Sequence, residues 1–225
     1  MPVGIKAAIG KTDQWELLAK LMVATNRGPD FITIDGGEGG TGAAPPSFAD
    51  HVSLPWVYGF TAVYKIFQKH QLTDRVVFIG SGKLGFPAKA AMAFAMGVDC
   101  INVAREAMMS IGCIQAQICH TNKCPTGIAT QSKWLQKGID VPLKSDRLAQ
   151  YFKTFRKEFI EITHAAGYEH PCQFTMQDID LNVDDGELTK TLEQSFKYVK
   201  TPVKYTCAQD LKDCTYLGGN YQKEL

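Results

Sequence analysis

Phe31-Ile32-Thr33-Ile34-Asp35 runs straight into Gly36-Gly37-Glu38-Gly39-Gly40-Thr41-Gly42, an apolar stretch followed by five glycines in seven residues. The short run reads as a buried strand: it is rich in β-branched residues and too brief for a helix. An ordinary strand-to-helix loop needs about two to six residues and a single glycine. This many glycines instead let backbone approach a ligand closely and accept positive φ. Three more runs read as strands, Val3 to Ile9, Arg75 to Gly80 and Cys100 to Ala104. Helical stretches separate them. Asp13 to Asn26 carries a stripe of Trp15, Leu18 and Met22 flanked by Leu17 and Leu21, with Asp13 as the expected N-cap and Gly28-Pro29 as the stop. Trp56 to His70 and Ala88 to Met96 follow, the latter ended by Gly97. Strand-helix alternation with few central charges predicts a parallel sheet covered by helices. An open doubly wound sheet and a (β/α)8 barrel both fit, and both place their sites just after the strands.

Composition narrows the function classes. The chain has 225 residues, 45% hydrophobic, with 24 basic and 23 acidic side chains. A net charge of +1 gives no electrostatic pull toward nucleic acid or an anionic membrane. No apolar run approaches the roughly 18 residues of a membrane span, and Met1 to Lys6 lacks the features of a signal peptide. Seven cysteines are too few for a disulfide scaffold, so a reducing, cytoplasmic compartment is expected. Beyond Cys124 the character changes. Asp146 to Ala166 reads as an amphipathic helix with Leu148, Tyr151, Phe152, Phe155, Phe159 and Ile162 along one side, Leu188 to Val199 as a weaker one, and the tail from Thr201 as polar.

Cys113, Cys119 and Cys124 form C-x5-C-x4-C. Clustered thiolates suit an iron-sulfur cluster or zinc, yet structural zinc takes four ligands, and His120 directly follows Cys119, an awkward place for a fourth. Three reduced thiols in a loop are the plain alternative. Cys100, Cys172, Cys207 and Cys214 read as ordinary thiols, and His51, His70, His164 and His170 receive no role. Gly80-Ser81-Gly82-Lys83 is not a Walker loop, because Val77 stands at the first glycine position and Leu84 follows Lys83. Its backbone N–H groups and lysine are still suited to phosphate, and Arg105 offers a second contact. In a barrel, these two loops would follow the last two strands.

Three motifs together, GGEGGTGAAP (Gly36 to Pro45), NVAREAM (Asn102 to Met108) and GCIQAQICHTNKCPTGIATQ (Gly112 to Gln131), resemble the FMN-binding domain of glutamate synthase and its shorter glutamate-synthase-like relatives. The resemblance runs from about Pro2 to Gln131 and implies a (β/α)8 barrel. It implies FMN and a 3Fe-4S cluster as cofactors. Lys6 would sit beside the flavin, with Gly39, Gly40 and Thr41 bordering flavin and substrate. Gly80, Ser81, Gly82, Lys83, Ala104 and Arg105 would form the phosphate cradle, and Cys113, Cys119 and Cys124 would hold the cluster. Lys6 and Glu38 are the catalytic candidates. The implied reaction is hydride transfer to the imine of a 2-oxo acid, giving an amino acid, with electrons from a donor protein or subunit.

The chain also departs from the family. Gly37-Glu38 stands where glutamate synthases carry His-Asp, and Gly80-Ser81 replaces their Asp-Gly, which bears on the substrate. No N-terminal glutaminase cysteine begins the chain. Only four strand-helix units are visible, resembling the second half of the barrel, so residues 1–131 are expected to be half of that domain and residues 132–225 a helical extension and polar tail. Half a barrel would leave an apolar inner face open on strands carrying Ile32, Ile34, Val76 and Phe78. The expected partners are therefore the other barrel half or a second copy, besides the small-molecule substrate. A cluster-carrying half-barrel subunit without catalysis of its own is the competing reading.

Overall fold

The computed structural model describes residues 1–38, 44–182 and 189–202. Four parallel strands lie in sequence order, β1 (Gly4–Ala8), β2 (Phe31–Asp35), β3 (Val77–Ser81) and β4 (Cys100–Asn102). Helices α1 (Asp13–Thr25), α2 (Trp56–Lys69) and α3 (Pro87–Met96) connect them, and α4 (Arg105–Ser110) follows β4. Four consecutive strand-helix units with neighbouring strands paired in order are the arrangement of part of a (β/α)8 barrel. An open doubly wound sheet would instead reverse its strand order at a switch point.

The register assigns the two faces of the sheet. Ile32 pairs with Ile5 and Phe78, and Ile34 with Ala7 and Gly80, so these side chains share one face. That face builds the core: Ile32, Ile34 and Phe78 are buried, and Phe78 packs edge-on against Phe60 and Phe67 of α2, while Ile5 on the edge strand stays exposed. The opposite face carries Phe31, Lys6, Thr33, Val77, Ile79 and Cys100, of which Lys6, Val77 and Cys100 are exposed. The expectation that Ile32, Ile34, Val76 and Phe78 would mark an open inner face is corrected here, since all four are buried. Alternation along a uniformly apolar strand does not say which set meets the helices. Among the described residues β1 and β4 pair on one side only.

Several boundaries shift for local reasons. Thr12, not Asp13, is the N-cap of α1, and α1 stops at Thr25 because Asn26 takes the left-handed conformation. Trp15 and Met22 are buried and Leu18 packs partly against the core, whereas Leu17 and Leu21 face solvent. Gly97 does cap α3, with φ at 113°.

A four-residue helix, α5 (Lys133–Gln136), leads to the long α6 (Val141–Ala165). The Asp140 side chain accepts from the Leu143 N–H to start α6, a turn and a half before the predicted helix. Its stripe packs on α3 and α4 through Tyr151, Phe155 and Phe159, the last 5.4 Å from the ring of Phe94; Phe152 lies outside the contact. The weak helix predicted at Leu188 to Val199 is instead a strand and a short helix. β5 (Asp180–Asn182) pairs antiparallel with β6 (Thr189–Thr191), and α7 (Leu192–Phe196) follows. Cys207 and Cys214 lie outside the described residues. No helix among the described residues is long and apolar enough to cross a membrane.

Candidate functional site

Parallel pairing brings the C-terminal ends of all four strands to one rim. Asp35 is level with Ala8 and Ser81, and Ser81 with Asn102, so each strand delivers a polar or small residue to the same edge. A cavity of about 350 Å³ opens there, within the size range of small-molecule sites. Lys6, Asp35, Glu38, Ser81, Gly82, Lys83, Ala104 and Arg105 line it, so most of the predicted site residues meet in one place. Gly80 lies one residue deeper in β3, beneath Leu84 and Trp56. Gly39, Gly40 and Thr41 lie outside the described residues.

The segment Gly80 to Lys83 is built for close approach. A Cβ on Gly82 would sit 2.7 Å from the Trp56 Cβ, and one on Gly80 would sit 2.9 Å from the Leu84 Cδ1. Only backbone fits at these positions. Lys83 holds a left-handed φ of 52°, costly for a residue with a side chain, the kind of local strain that gathers at ligand clamps. Each lysine or arginine on the cavity wall faces a carboxylate. Lys6 pairs with Asp35 at 2.5 Å, Lys83 with Glu38 at 3.7 Å and Arg105 with Asp50 at 3.9 Å. Three cations, the glycine-walled turn at Gly82 and the alanines at 44, 49 and 104 make a wall chemically suited to a phosphate-bearing ligand with an apolar part.

The cysteine loop lies beside it. Cys113, Cys119 and Cys124 all border a small apolar cavity with Ile114, Ile118 and Ile128. Cys113 and Cys119 also line the larger cavity, so the two spaces share a wall. Among the described residues, no three His, Cys, Asp or Glu side chains gather closely enough for a single metal ion. Burial alone would raise the Cys124 thiol. Donation from the Thr126 hydroxyl and the N–H groups of Ala129, Thr126 and Ile128 outweighs it and brings the thiol down to about 7. An apolar pocket lined by three thiols, one of them surrounded by N–H donors, fits an iron-sulfur ligand set.

The sequence did not single out Asp35, Asp50, Gln115 or Gln117, all of which line the cavity. Asp35 ends a strand and was visible in principle as a polar residue closing an apolar run. Asp50 sits far along the loop and belongs to no motif. Gln115 and Gln117 adopt φ of 54° and 56°, a conformation that nothing about glutamine announces. His70, assigned no role, bonds Glu16 at 2.9 Å, and His170 caps the short helical turn at Pro171–Gln173. Both are structural contacts away from the cavity.

Four parallel strand-helix units with a cation-lined cavity at the strand ends and an adjoining thiol loop define an α/β protein built as part of a barrel, and the comparisons with known proteins narrow the class. Residues 1–169 match the family described as the conserved region in glutamate synthase. The glutamate synthase large subunit-like protein YerD of Bacillus subtilis is 39% identical over 187 residues, which is 83% of this chain and 36% of that protein. A ferredoxin-dependent glutamate synthase of Pyropia yezoensis is 37% identical over 72% of this chain and 10% of its own length. The archaeal glutamate synthase [NADPH] of Methanocaldococcus jannaschii is 36% identical over 61% of this chain and 27% of its own. The chain thus spans little more than a third, or less, of these relatives. It belongs to the glutamate synthase family.

Proposed function

We propose that this chain supplies the phosphate-gripping and cluster-binding part of an FMN-dependent oxidoreductase of the glutamate synthase type, acting on CH–NH2 donors or forming them. The observation that carries the reading is the shared wall: Cys113 and Cys119 border both the cationic cavity and the thiol-lined one. Lys83, Arg105 and the backbone of Gly80 to Gly82 with Ala104 would hold the phosphate. Lys6, oriented by Asp35, would place positive charge beside the ring system, where electrons accumulate. Gly39, Gly40 and Thr41 would border the same cofactor, and Glu38, the other catalytic candidate, lines the same cavity on the side of Lys83. Cys113, Cys119 and Cys124 would hold a 3Fe-4S cluster. Held in the cavity, FMN would supply hydride chemistry toward the imine of a 2-oxo acid, with Cys113, Cys119 and Cys124 holding the cluster that would deliver its electrons. The names of the relatives favour glutamate as product and ferredoxin or NADPH as source of electrons. The cysteine content supports a cytoplasmic setting.

The partly exposed sheet face and, among the described residues, the singly paired β1 and β4 favour a second reading, in which the chain carries the cluster and works only with a partner that completes the barrel. Anaerobic purification separates the two. The first reading expects a coloured protein containing FMN, iron and acid-labile sulfide. Iron and sulfide without flavin would favour the second. Stoichiometric zinc without sulfide would contradict both.

A further inference from the structure

Glu38 occupies the crevice that the cradle offers to an anion. Its Oε2 sits where a Cβ on Gly36 would be 2.8 Å away and a Cβ on Gly82 2.9 Å away, so the space freed by these two glycines is taken by a carboxylate oxygen. The Trp56 N–H at the start of α2 points to the same oxygen at 3.5 Å, and Lys83 Nζ lies 3.7 Å from Oε1. Glycine backbone, a helix start and a lysine are the donors that grip a phosphate oxygen. Here a side chain of the same protein stands among them. Among the described residues, both contacts are at or beyond the long limit of hydrogen bonding. The neighbouring Arg105 shows the same arrangement, facing Asp50 at 3.9 Å.

We propose that Glu38 is an internal competitor for the phosphate end of the cavity, neutralising Lys83 and filling the glycine crevice until a phosphate-bearing ligand displaces it. The inference rests on the phosphate-cradle reading and goes beyond it. It makes Glu38 a residue that limits affinity and confines the site to ligands whose charge is sufficient to expel a carboxylate. Two like charges cannot share the crevice without a large penalty, so the ligand must move Glu38 aside. A carboxylate that instead helped to bind the ligand would have its effect in the opposite direction.

Calorimetric titration of the full chain with inorganic phosphate, FMN and riboflavin decides between them. Glu38→Gln is expected to tighten inorganic phosphate and FMN by about threefold or more and to leave riboflavin unchanged. In a Lys83→Met background the same substitution is expected to give a much smaller gain, because the group being competed for is gone. Unchanged or weaker phosphate binding by Glu38→Gln overturns the proposal, as does an equal gain for riboflavin or an undiminished gain without Lys83. If inorganic phosphate binds neither chain, the proposal is also overturned. If phosphate responds as expected while FMN binds neither chain, the competitor stands and the flavin reading fails.

Discussion

The Tyr151 hydroxyl donates to the Gly85 carbonyl across 2.7 Å, tying the middle of α6 to the segment that follows the proposed phosphate cradle. A Cβ on Gly85 would lie 2.6 Å from that hydroxyl and 2.7 Å from the buried carboxylate of Glu106, so the three groups pack as one unit. Burial, followed by the charge of Glu106, pushes the Tyr151 hydroxyl up to about 12. A raised folded value means that its contribution to stability is complete below the ordinary tyrosine range near 10 and is lost as pH rises toward about 12. Tyr151→Phe is expected to lower stability by about 1 kcal/mol at neutral pH and to flatten that alkaline loss. Denaturant unfolding at a series of pH values from neutral to alkaline checks both. An unchanged alkaline profile would contradict the assignment.

Lys200 anchors the segment after α7 by donating to three carbonyls, Cys172 at 2.7 Å, Phe94 at 3.0 Å and Phe174 at 3.1 Å. All three ammonium donors are used, although burial pulls the amine below its ordinary value. Lys200→Met is expected to cost about 2 kcal/mol or more, because it strands part-buried acceptors. Lys197→Met, on an amine with no such anchoring role in this account, should cost much less. Urea unfolding of the two variants compares them, and equal losses would mean that the carbonyl contacts contribute nothing specific.

Gly82→Ala is expected to reduce FMN affinity by tenfold or more, since its Cβ would overlap Trp56 and Glu38. Gly10→Ala serves as the reference, because nothing lies within 4 Å of a Cβ there. Fluorescence titration together with thermal melts distinguishes loss of the cradle from loss of the fold. Equal FMN affinity in both variants would show that the crevice at Gly82 is not part of the site.

Much of the fold was legible because the chemistry was local. Phe31 to Asp35 could be read as strand from composition, and Gly97 as a helix stop from its freedom to adopt positive φ. The true start of α6 was harder to see, although Asp140 and Pro142 signal it, because Val141 and Leu143 face solvent and the apolar stripe begins only at Leu148. The β5–β6 pair was missed since three-residue polar strands carry no alternation, and their pairing is decided by contact rather than propensity. At the site, glycines, cations and thiols announced themselves by type and spacing. The carboxylates of Asp35 and Asp50 did not, because ion pairing across a loop depends on how that loop folds back.

Cys119→Ser is expected to remove both iron and acid-labile sulfide from anaerobically prepared protein, whereas Cys100→Ser, exposed on the sheet and away from the loop, should retain both. Colorimetric iron and sulfide analysis reads the outcome. Retention of full iron and sulfide in Cys119→Ser would remove this thiol from the ligand set.

Among the described residues, the sheet face bearing exposed Val77 and Cys100 lies between strands paired on one side only, which predicts that this chain is not a stable monomer by itself. A second copy would close the sheet through a two-fold axis. Light scattering at micromolar concentration is expected to give a mass above the 24.8 kDa of one chain. A monodisperse monomer that unfolds cooperatively would contradict the prediction.

The most direct test of the account is whether the cavity grips its ligand by the phosphate. FMN and riboflavin share their ring and differ at the end that Lys83 and Arg105 would hold, so the ratio of their affinities isolates that contact. Fluorescence titration of the wild-type chain and Arg105→Ala with both ligands measures it. The account predicts that FMN binds more tightly than riboflavin in the wild type and that Arg105→Ala weakens FMN far more than riboflavin. An equal loss for both ligands, or a wild type that does not prefer FMN, would contradict it.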